Sequence, residues 1–336
     1  MTSKDISFII PVFNRPEEVN ELLQSFAILK GKKDFEIVII EDGSDIKSDK
    51  IIESYTNTLN ITYFFKPNSR PGDSRNFGMK KAKGNYYIIL DSDCILPKHY
   101  LEEVLKSLND NYVDCFGGPD AAHESFTNIQ KAINFAMTSF ITTGGIRGRK
   151  DSVNKFQPRS FNMGISKSAF KATNGFGNIH PGEDPDLSIR LTKLGFKTTL
   201  IENAFVYHKR RISWSKFYKQ VHKFGLVRPI LNVWHPNTKR VTYWFPSVFC
   251  FGLVLAFVLM FFNINFLILL YGFYFLIAFI IALFKTSSII VACLSLFAIC
   301  IQFFGYGFGF LKSTIMLFGS KSNIEKRFPQ LFFKLK

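Results

Sequence analysis

Two things are scarce in this chain: cysteine overall, and charge in one long stretch. The 336 residues hold five cysteines, Cys94, Cys115, Cys250, Cys293 and Cys300, with no C-x-x-C pair. That excludes a disulfide framework and suits a reducing compartment. From Trp244 to Leu311 a single charged side chain, Lys285, interrupts 68 residues. A soluble domain has no surface that could accept such a run, so the sequence reads as a membrane protein with a soluble N-terminal part. No internal repeat is visible, and no low-complexity tract apart from the apolar block. Met1–Phe13 lacks a basic region followed by a long apolar run, and Pro11 interrupts its short apolar stretch. It does not read as a signal peptide, and the soluble part is expected on the cytoplasmic side of the inner membrane.

Acid is also missing locally. Residues 203–243 contain no Asp or Glu but nine bases, Lys209, Arg210, Arg211, Lys216, Lys219, Lys223, Arg228, Lys239 and Arg240. Residues 1–202 are nearly neutral, with 26 basic against 25 acidic side chains, so nearly all of the net charge of +16 lies in and beside the apolar block. This pattern suits anionic lipid headgroups and the positive-inside rule. Nucleic-acid binding fits poorly, because the soluble part carries almost no net charge. With 47% hydrophobic and 20% charged residues, a disordered chain is excluded.

What is present in the first 90 residues is an alternation of short apolar runs with helical patterns. Strands are expected at 6–10, 35–40, 61–65 and 86–90, and helices at 17–29, 47–55 and 74–83. Continuous apolar strands alternating with helices predict a parallel α/β sheet covered on both faces. Ligands of such sheets collect beyond the carboxyl ends of the strands. Further helices are expected at 100–108 and 126–140. A Gly/Arg/Lys loop is expected over 142–154, and its Gly144–Lys150 part, with Arg147, Arg149 and Lys150, is a candidate to close over a diphosphate. A further α/β stretch is expected from 161 to 208. Domain boundaries are expected as a soluble domain over 1–211, a basic aromatic segment over 212–243, a membrane region over 244–311 and a basic tail over 312–336. The 212–234 part of the second reads as a helix lying in the membrane interface. The membrane region divides into apolar runs at about 244–262, 266–284 and 289–310, the Gly-rich third being a candidate re-entrant segment.

The polar residues at the strand ends carry the chemistry. After the first strand comes Pro11-Val12-Phe13-Asn14-Arg15, and after the second Glu41-Asp42-Gly43-Ser44. Pro71-Gly72-Asp73-Ser74-Arg75-Asn76-Phe77-Gly78 precedes the fourth strand, and Asp91-Ser92-Asp93 follows it. Asp91 and Asp93 offer hard oxygens suited to Mg²⁺ or Mn²⁺ and to a ribose hydroxyl. Asp42 suits a base N–H, and Arg75 a base or phosphate oxygen. Later, Gly182-Glu183-Asp184-Pro185-Asp186-Leu187 opens an amphipathic helix, where Asp186 has a plain capping explanation. Val206-Tyr207-His208 ends a strand-like run, and His208 is placed to complete a metal site.

The ordered set I-I-P-V-F-N-R, E-D-G-S, S-R-N-x-G, D-S-D, G-E-D-x-D-L and V-Y-H resembles inverting family 2 glycosyltransferases, over about residues 6–224. The resemblance implies a GT-A fold, Rossmann-like and nucleotide-sugar-binding, followed by an interfacial helix and a C-terminal transmembrane helical region. It implies a nucleotide-sugar donor, usually UDP-linked, with Pro11, Phe13, Arg15, Asp42 and Arg75 around the nucleotide and Asp91 at the ribose and metal. Asp93 would hold a divalent cation, Mn²⁺ or Mg²⁺, with His208 a further ligand. In the Glu183-Asp184 pair, Asp184 matches the family's catalytic base. The apolar block resembles the membrane-anchored bacterial branch, implying a lipid-linked or glycan acceptor and anionic membrane lipids as partners. The Q-x-x-R-W motif of processive members is absent: Gln220 is followed by Val-His-Lys-Phe. A nucleotidyltransferase, or a non-catalytic membrane scaffold with a degenerate nucleotide-sugar domain, are the competing readings. The first would more usually place a Gly-rich basic loop after strand one, and the second has no use for a base.

Overall fold

The computed structural model describes residues 1–121, 123–144, 157–209, 213–319 and 322–333. Of the loop expected over 142–154, Thr142 and Thr143 end a short helix, and residues 145–154, with Arg147, Arg149 and Lys150, lie outside these described residues. The chain forms two compact units, one of Met1–His123, Ile146–Lys209 and Phe332–Lys336, the other of Glu124–Gly145 and Arg210–Leu331. The helix expected at 126–140 falls in the second unit, and the last residues of the expected basic tail fall in the first.

The first unit begins β1 (Ile6–Val12), α1 (Pro16–Ala27), β2 (Glu36–Asp42), α2 (Asp49–Glu53), β3 (Ile61–Lys66), α3 (Pro71–Lys81) and β4 (Tyr86–Leu90). It continues with β5 (Cys94–Ile95), α4 (Tyr100–Asp110), β6 (Cys115–Gly117) and β7 (Asp120–Ala121). Two helices of the second unit, α5 (Asn128–Thr138) and α6 (Phe140–Thr143), intervene. The first unit then resumes with β8 (Asn162–Ser166), α7 (Lys167–Thr173), α8 (Glu183–Lys193), β9 (Thr198–Leu200) and β10 (Val206–His208).

Seven strands form one sheet in the order β3-β2-β1-β4-β8-β6-β9, and three more form a small sheet, β5-β10-β7. The first four strands are parallel, with Ile9 opposite Val38 and Ile89. The expectation of a parallel sheet stops there, because β8 runs antiparallel to both β4 and β6. The sheet is mixed. Strand alternation assigns each side chain to a face. Ile6, Phe8, Ile10 and Val12 of β1 pack with Val19, Leu22, Leu23 and Phe26 of α1 and with Tyr100 and Val104 of α4. Ile9, Val38, Ile40, Tyr87 and Ile89 face Met79 of α3, Phe170 of α7, and Leu187 and Leu191 of α8. With both faces covered, no alternating polar residues are needed, which is why these strands read as continuous apolar runs.

The second unit adds α9 (Trp214–Trp234), α10 (Phe245–Met260), α11 (Phe266–Thr286), α12 (Ile289–Phe318) and α13 (Ile324–Arg327). The segments Val241–Met260, Phe266–Thr286 and Ile289–Phe318 are long and apolar enough to cross a membrane. At 1.5 Å per residue the 30-residue α12 is about 45 Å long, more than the ~30 Å of a bilayer core. Its glycines do not break it into a re-entrant segment. They let other helices approach: a Cβ on Gly309 would strike the His222 carbonyl, and one on Gly225 of α9 would strike the Tyr306 carbonyl. Small residues at such crossings allow backbones to touch, which favours helix association in an apolar medium. The apolar side of α9 that an interfacial helix would give to lipid is therefore covered by protein, with Phe217, Val221, Leu226, Ile230 and Leu231 buried.

Candidate active site

The loops after β1 and β2 are joined by one side chain. Asn14 takes φ of +53°, a left-handed conformation that Asn tolerates better than most residues. Its Oδ1 accepts from the amides of Asp45 (2.8 Å) and Ile46 (3.1 Å), and its own N–H donates to Ser44 Oγ (2.7 Å). Pro11 is buried in β1, while Phe13 is exposed at the strand's end. Arg15, the residue before α1, forms an ion pair with Asp93. Asp93 raises the Arg15 pKa, against the burial that would lower it.

Asp42 ends β2 and lies opposite Lys66, the last residue of β3. Its Oδ1 accepts from Lys66 Nζ (2.7 Å) and the Ser69 amide (2.9 Å), and Asn68 Nδ2 donates to the Asp42 carbonyl (2.8 Å). Gly43 follows with φ of +73°, and a Cβ there would come within 2.6 Å of the Asn68 amide nitrogen. Sequence reasoning missed Lys66. A lone Lys at a strand terminus gives no signal until the register is known.

Asp91 and Asp93 follow β4 and pair with different arginines, Arg75 and Arg15. Asp91 Oδ1 accepts from Arg75 Nη2 at 2.7 Å, and its Oδ2 is 3.9 Å from His208 Nε2. Asp93 is buried, with Oδ1 3.2 Å from His208 Nε2. His208 reaches them because β10 pairs antiparallel with β5, bringing His208 opposite Cys94. Its ring stacks on Phe161 at 4.9 Å, and Asp120 of β7 faces Nδ1 at 3.8 Å. A carboxylate behind a ligating imidazole orients the ring and raises its basicity. Asp120 too was not singled out from the sequence.

These residues fit a hard divalent cation. Adjacent ligands of an octahedral ion with 2.0–2.1 Å bonds lie about 3 Å apart. The 3.2 Å between Asp93 Oδ1 and His208 Nε2 is close to that, while Asp91 Oδ2 stands farther off at 3.9 Å. Cys94 Sγ, Asp93 and His208 form the cluster of donors that lie within 4.8 Å of one another among the described residues, and Asp91 stands outside it. Burial pushes the Cys94 thiol well above its ordinary pKa, and it donates to the Phe161 carbonyl. The oxygen and imidazole donors of Asp93 and His208 suit Mn²⁺ or Mg²⁺.

Arg75, expected near base or phosphate, is 3% exposed. Beside its bond to Asp91, its Nη1 donates to Glu183 Oε1 at 3.2 Å, and its guanidinium lies 5.4 Å from the Phe176 ring centroid. The neighbouring Asn76 bonds the Phe176 backbone in both directions, at 2.9 and 2.8 Å. The S-R-N-x-G motif thus ties α3 to the segment that leads into α8.

Glu183 and Asp184 occupy the first turn of α8, after Gly182 at φ of +123°. Helix N-termini favour negative charge. Burial would raise the Glu183 pKa, but His180, whose Nδ1 is 2.8 Å away, and Arg75 hold it down at about 2. Asp184 is pushed the other way by burial and by the Glu183 carboxylate, against the pull of Arg75, Arg159 and the Ser160 hydroxyl. The buried Asp184 Oδ1 has no hydrogen-bond partner among the described residues. A permanently ionised carboxylate beside a proton-receptive one is a division of labour seen in acid–base sites. Asp186 is structural without being the cap: its Oδ2 accepts from Arg190 Nε at 2.9 Å, and Arg190 also bonds the carbonyls of Thr173 and Gly175.

Residues 7–173 match the family model described as Glycosyl transferase family 2. An uncharacterized glycosyltransferase of Rickettsia felis is 38% identical over 106 residues, 32% of this chain and 17% of that protein. The poly(ribitol-phosphate) beta-N-acetylglucosaminyltransferase TarS of Staphylococcus aureus is 31% identical over 111 residues, 32% of this chain and 19% of that one. The similarity therefore spans less than a fifth of the length of either relative. The mannosyltransferase PcManGT from Pyrobaculum calidifontis, solved with GDP-Man and Mn²⁺, superposes with a TM-score of 0.51 at 13% identity, over 66% of this chain and 62% of that one. This is a likeness of fold. Strand-end motifs, mixed sheet and family match agree: the N-terminal part of this chain is a glycosyltransferase family 2 domain with a GT-A-like fold.

Proposed function

We propose that this chain is a membrane-bound inverting glycosyltransferase that moves a sugar from a nucleotide-sugar donor, UDP-linked, to a hydroxyl of a lipid-linked or glycan acceptor. The observation that carries the reading is a continuous ionic chain. Asp91 is bonded to Arg75, and Arg75 to Glu183, the chain neighbour of Asp184. The carboxylates offered to the donor and the proton-receptive Asp184 thus belong to one rigid assembly.

In this reading Asp184 takes the proton of the acceptor hydroxyl as that oxygen attacks the anomeric carbon from the face opposite the nucleotide. A new C–O bond forms as the bond to the diphosphate breaks, and configuration inverts. Glu183 stays ionised and keeps the proton affinity of Asp184 high. Pro11, Phe13, Arg15 and Asp42 lie at the ends of β1 and β2, where the nucleoside would rest, and Lys66 holds the Asp42 carboxylate in place. Asp91, Asp93 and His208 would hold a divalent cation, which neutralises charge on the departing diphosphate. TarS, named for N-acetylglucosaminyl transfer, and PcManGT, holding GDP-Man and Mn²⁺, support the donor class and the metal. The three long apolar helices support a membrane location, and the basic segments suit anionic lipid on the cytoplasmic side.

The test is a panel of UDP-, GDP- and dTDP-sugars incubated with the purified full chain and Mn²⁺. Release of nucleoside diphosphate supports the proposal. Release of pyrophosphate would instead identify a nucleotidyltransferase, and no turnover with any donor would favour a binding-only domain.

A further inference from the structure

Resting on the glycosyltransferase reading, we propose that the C-terminal Phe332–Phe333 segment is a positioning element for the loop that carries Glu183 and Asp184. The segment belongs to the first unit although it follows the last helices of the second in sequence. Ile179 and Phe332 form an antiparallel bridge, and Phe332 is buried. Asn178 uses both ends of its amide on the Phe333 backbone: Nδ2 donates to the carbonyl and Oδ1 accepts from the N–H, each at 3.2 Å. The Arg70 guanidinium lies 4.0 Å from the Phe333 ring centroid, so the same residue also touches the approach to α3.

The segment completes a clamp. Asn76 of α3 grips the backbone of Phe176 in both directions, and two residues later Asn178 grips the backbone of Phe333 in the same manner. The stretch 176–179 is therefore held from α3 on one side and from the C-terminal residues on the other. The next residue, His180, bonds Glu183, and Glu183 bonds Arg75. Loop backbone that would otherwise be satisfied by water is satisfied by protein, which narrows the range of positions open to the first turn of α8. A base must sit within hydrogen-bond reach of the proton it removes, and misplacement by about 1 Å costs roughly 100-fold in rate.

The experiment compares the full chain with Asn178→Ala, with Phe333→Ala, and with a chain ended at Leu331, all in detergent or nanodiscs. Hydrogen exchange of peptides covering 176–186 reports docking without reference to activity. Release of UDP from a UDP-sugar reports turnover, and calorimetry with UDP and Mn²⁺ reports donor-side binding. The expected result is exchange at least about tenfold faster across this loop, kcat lower by about 10–100-fold and UDP affinity within about twofold of the unmodified chain. Phe333→Tyr, which keeps the ring under Arg70, should restore both exchange and kcat relative to Phe333→Ala. Unchanged exchange in the shortened chain would overturn the docking. Faster exchange with unchanged kcat would overturn the positioning role. An unmodified chain that turns over no donor would refute the glycosyltransferase reading and the catalytic role together, while exchange would still report the docking separately.

Discussion

Arg75 and Glu183 are 108 residues apart in the chain and meet at 3.2 Å in the interior of the first unit, where both side chains are almost fully buried. The other amino group of Arg75 is committed to Asp91. One guanidinium therefore joins the end of β4 to the start of α8. Removing it leaves Glu183 with His180 as its remaining ring-nitrogen partner, in a site where burial penalises charge. Arg75→Ala is expected to cost about 3–5 kcal/mol, the usual consequence of orphaning one partner of a buried pair. Arg75→Lys should recover only part of this, because a single ammonium cannot present two forks to two carboxylates. Thermal unfolding of the two variants in one detergent checks both statements.

Asp184 is the residue on which turnover should depend most steeply. Burial and the adjacent Glu183 charge raise its pKa, so the rate should climb with pH as Asp184 loses its proton, with a midpoint above the ordinary aspartate range. Asp184→Asn should abolish transfer while leaving UDP binding nearly intact. A pH–rate profile under single-turnover conditions gives the midpoint. A limb at or below the ordinary range would move the base to another residue.

Glu183 acts in the opposite sense on stability. Its folded-state pKa of about 2 lies below the unfolded value near 4.5, so its contribution is fully present above pH 4.5 and is lost as pH falls toward 2. Asp184, raised on folding, contributes with the reverse sign: its share is present at low pH and lost as pH rises through its folded value. Glu183→Gln should therefore flatten the acid limb of the stability curve below pH 4.5. Urea midpoints measured from pH 3 to pH 6 would reveal it, and an unchanged slope would contradict the ion pairing described here.

Asp93→Ala and His208→Ala should each weaken Mn²⁺ binding, read by paramagnetic resonance titration in the presence of UDP. Asp120, which faces the far nitrogen of His208, should matter less but measurably: Asp120→Asn is expected to lower metal affinity by roughly 10–100-fold. Cys94→Ser should leave the affinity within a few-fold, since the Cys94 thiol is engaged with the Phe161 carbonyl and Mn²⁺ prefers oxygen and imidazole donors.

In the second unit, Gly309→Leu should be poorly tolerated. Its side chain would enter the His222 carbonyl of α9, and overpacking of this kind costs about 1–3 kcal/mol. Gly272→Ala, in α11 where nothing lies within 4 Å, should be neutral or slightly stabilising. Thermal aggregation in detergent separates the two.

The amino-acid sequence by itself determined the first four strands and their strand-end motifs, but not the short β5, β6 and β7. Alternation and apolar runs are local, and burial on both faces of β1, β2 and β4 leaves little freedom in what they can be. It also determined the three apolar helices, since length and hydropathy need no partner. Tertiary structure decided where those motifs meet. His208 reaches Asp93 through the pairing of β10 with β5, and no spacing in the sequence encodes that register. Arg75 reads from its motif as a contact for a base or phosphate oxygen, and the fold places it between two carboxylates. Segment 214–234 carried the mixture of bases and aromatics typical of an interface, yet α12 has the glycines that admit it closely. Phe332 and Phe333 belonged to an undistinguished basic tail, and only the return of the chain to Asn178 gives them a place. In each case the deciding term is a contact between distant residues, whose energy depends on packing and desolvation that local composition does not record.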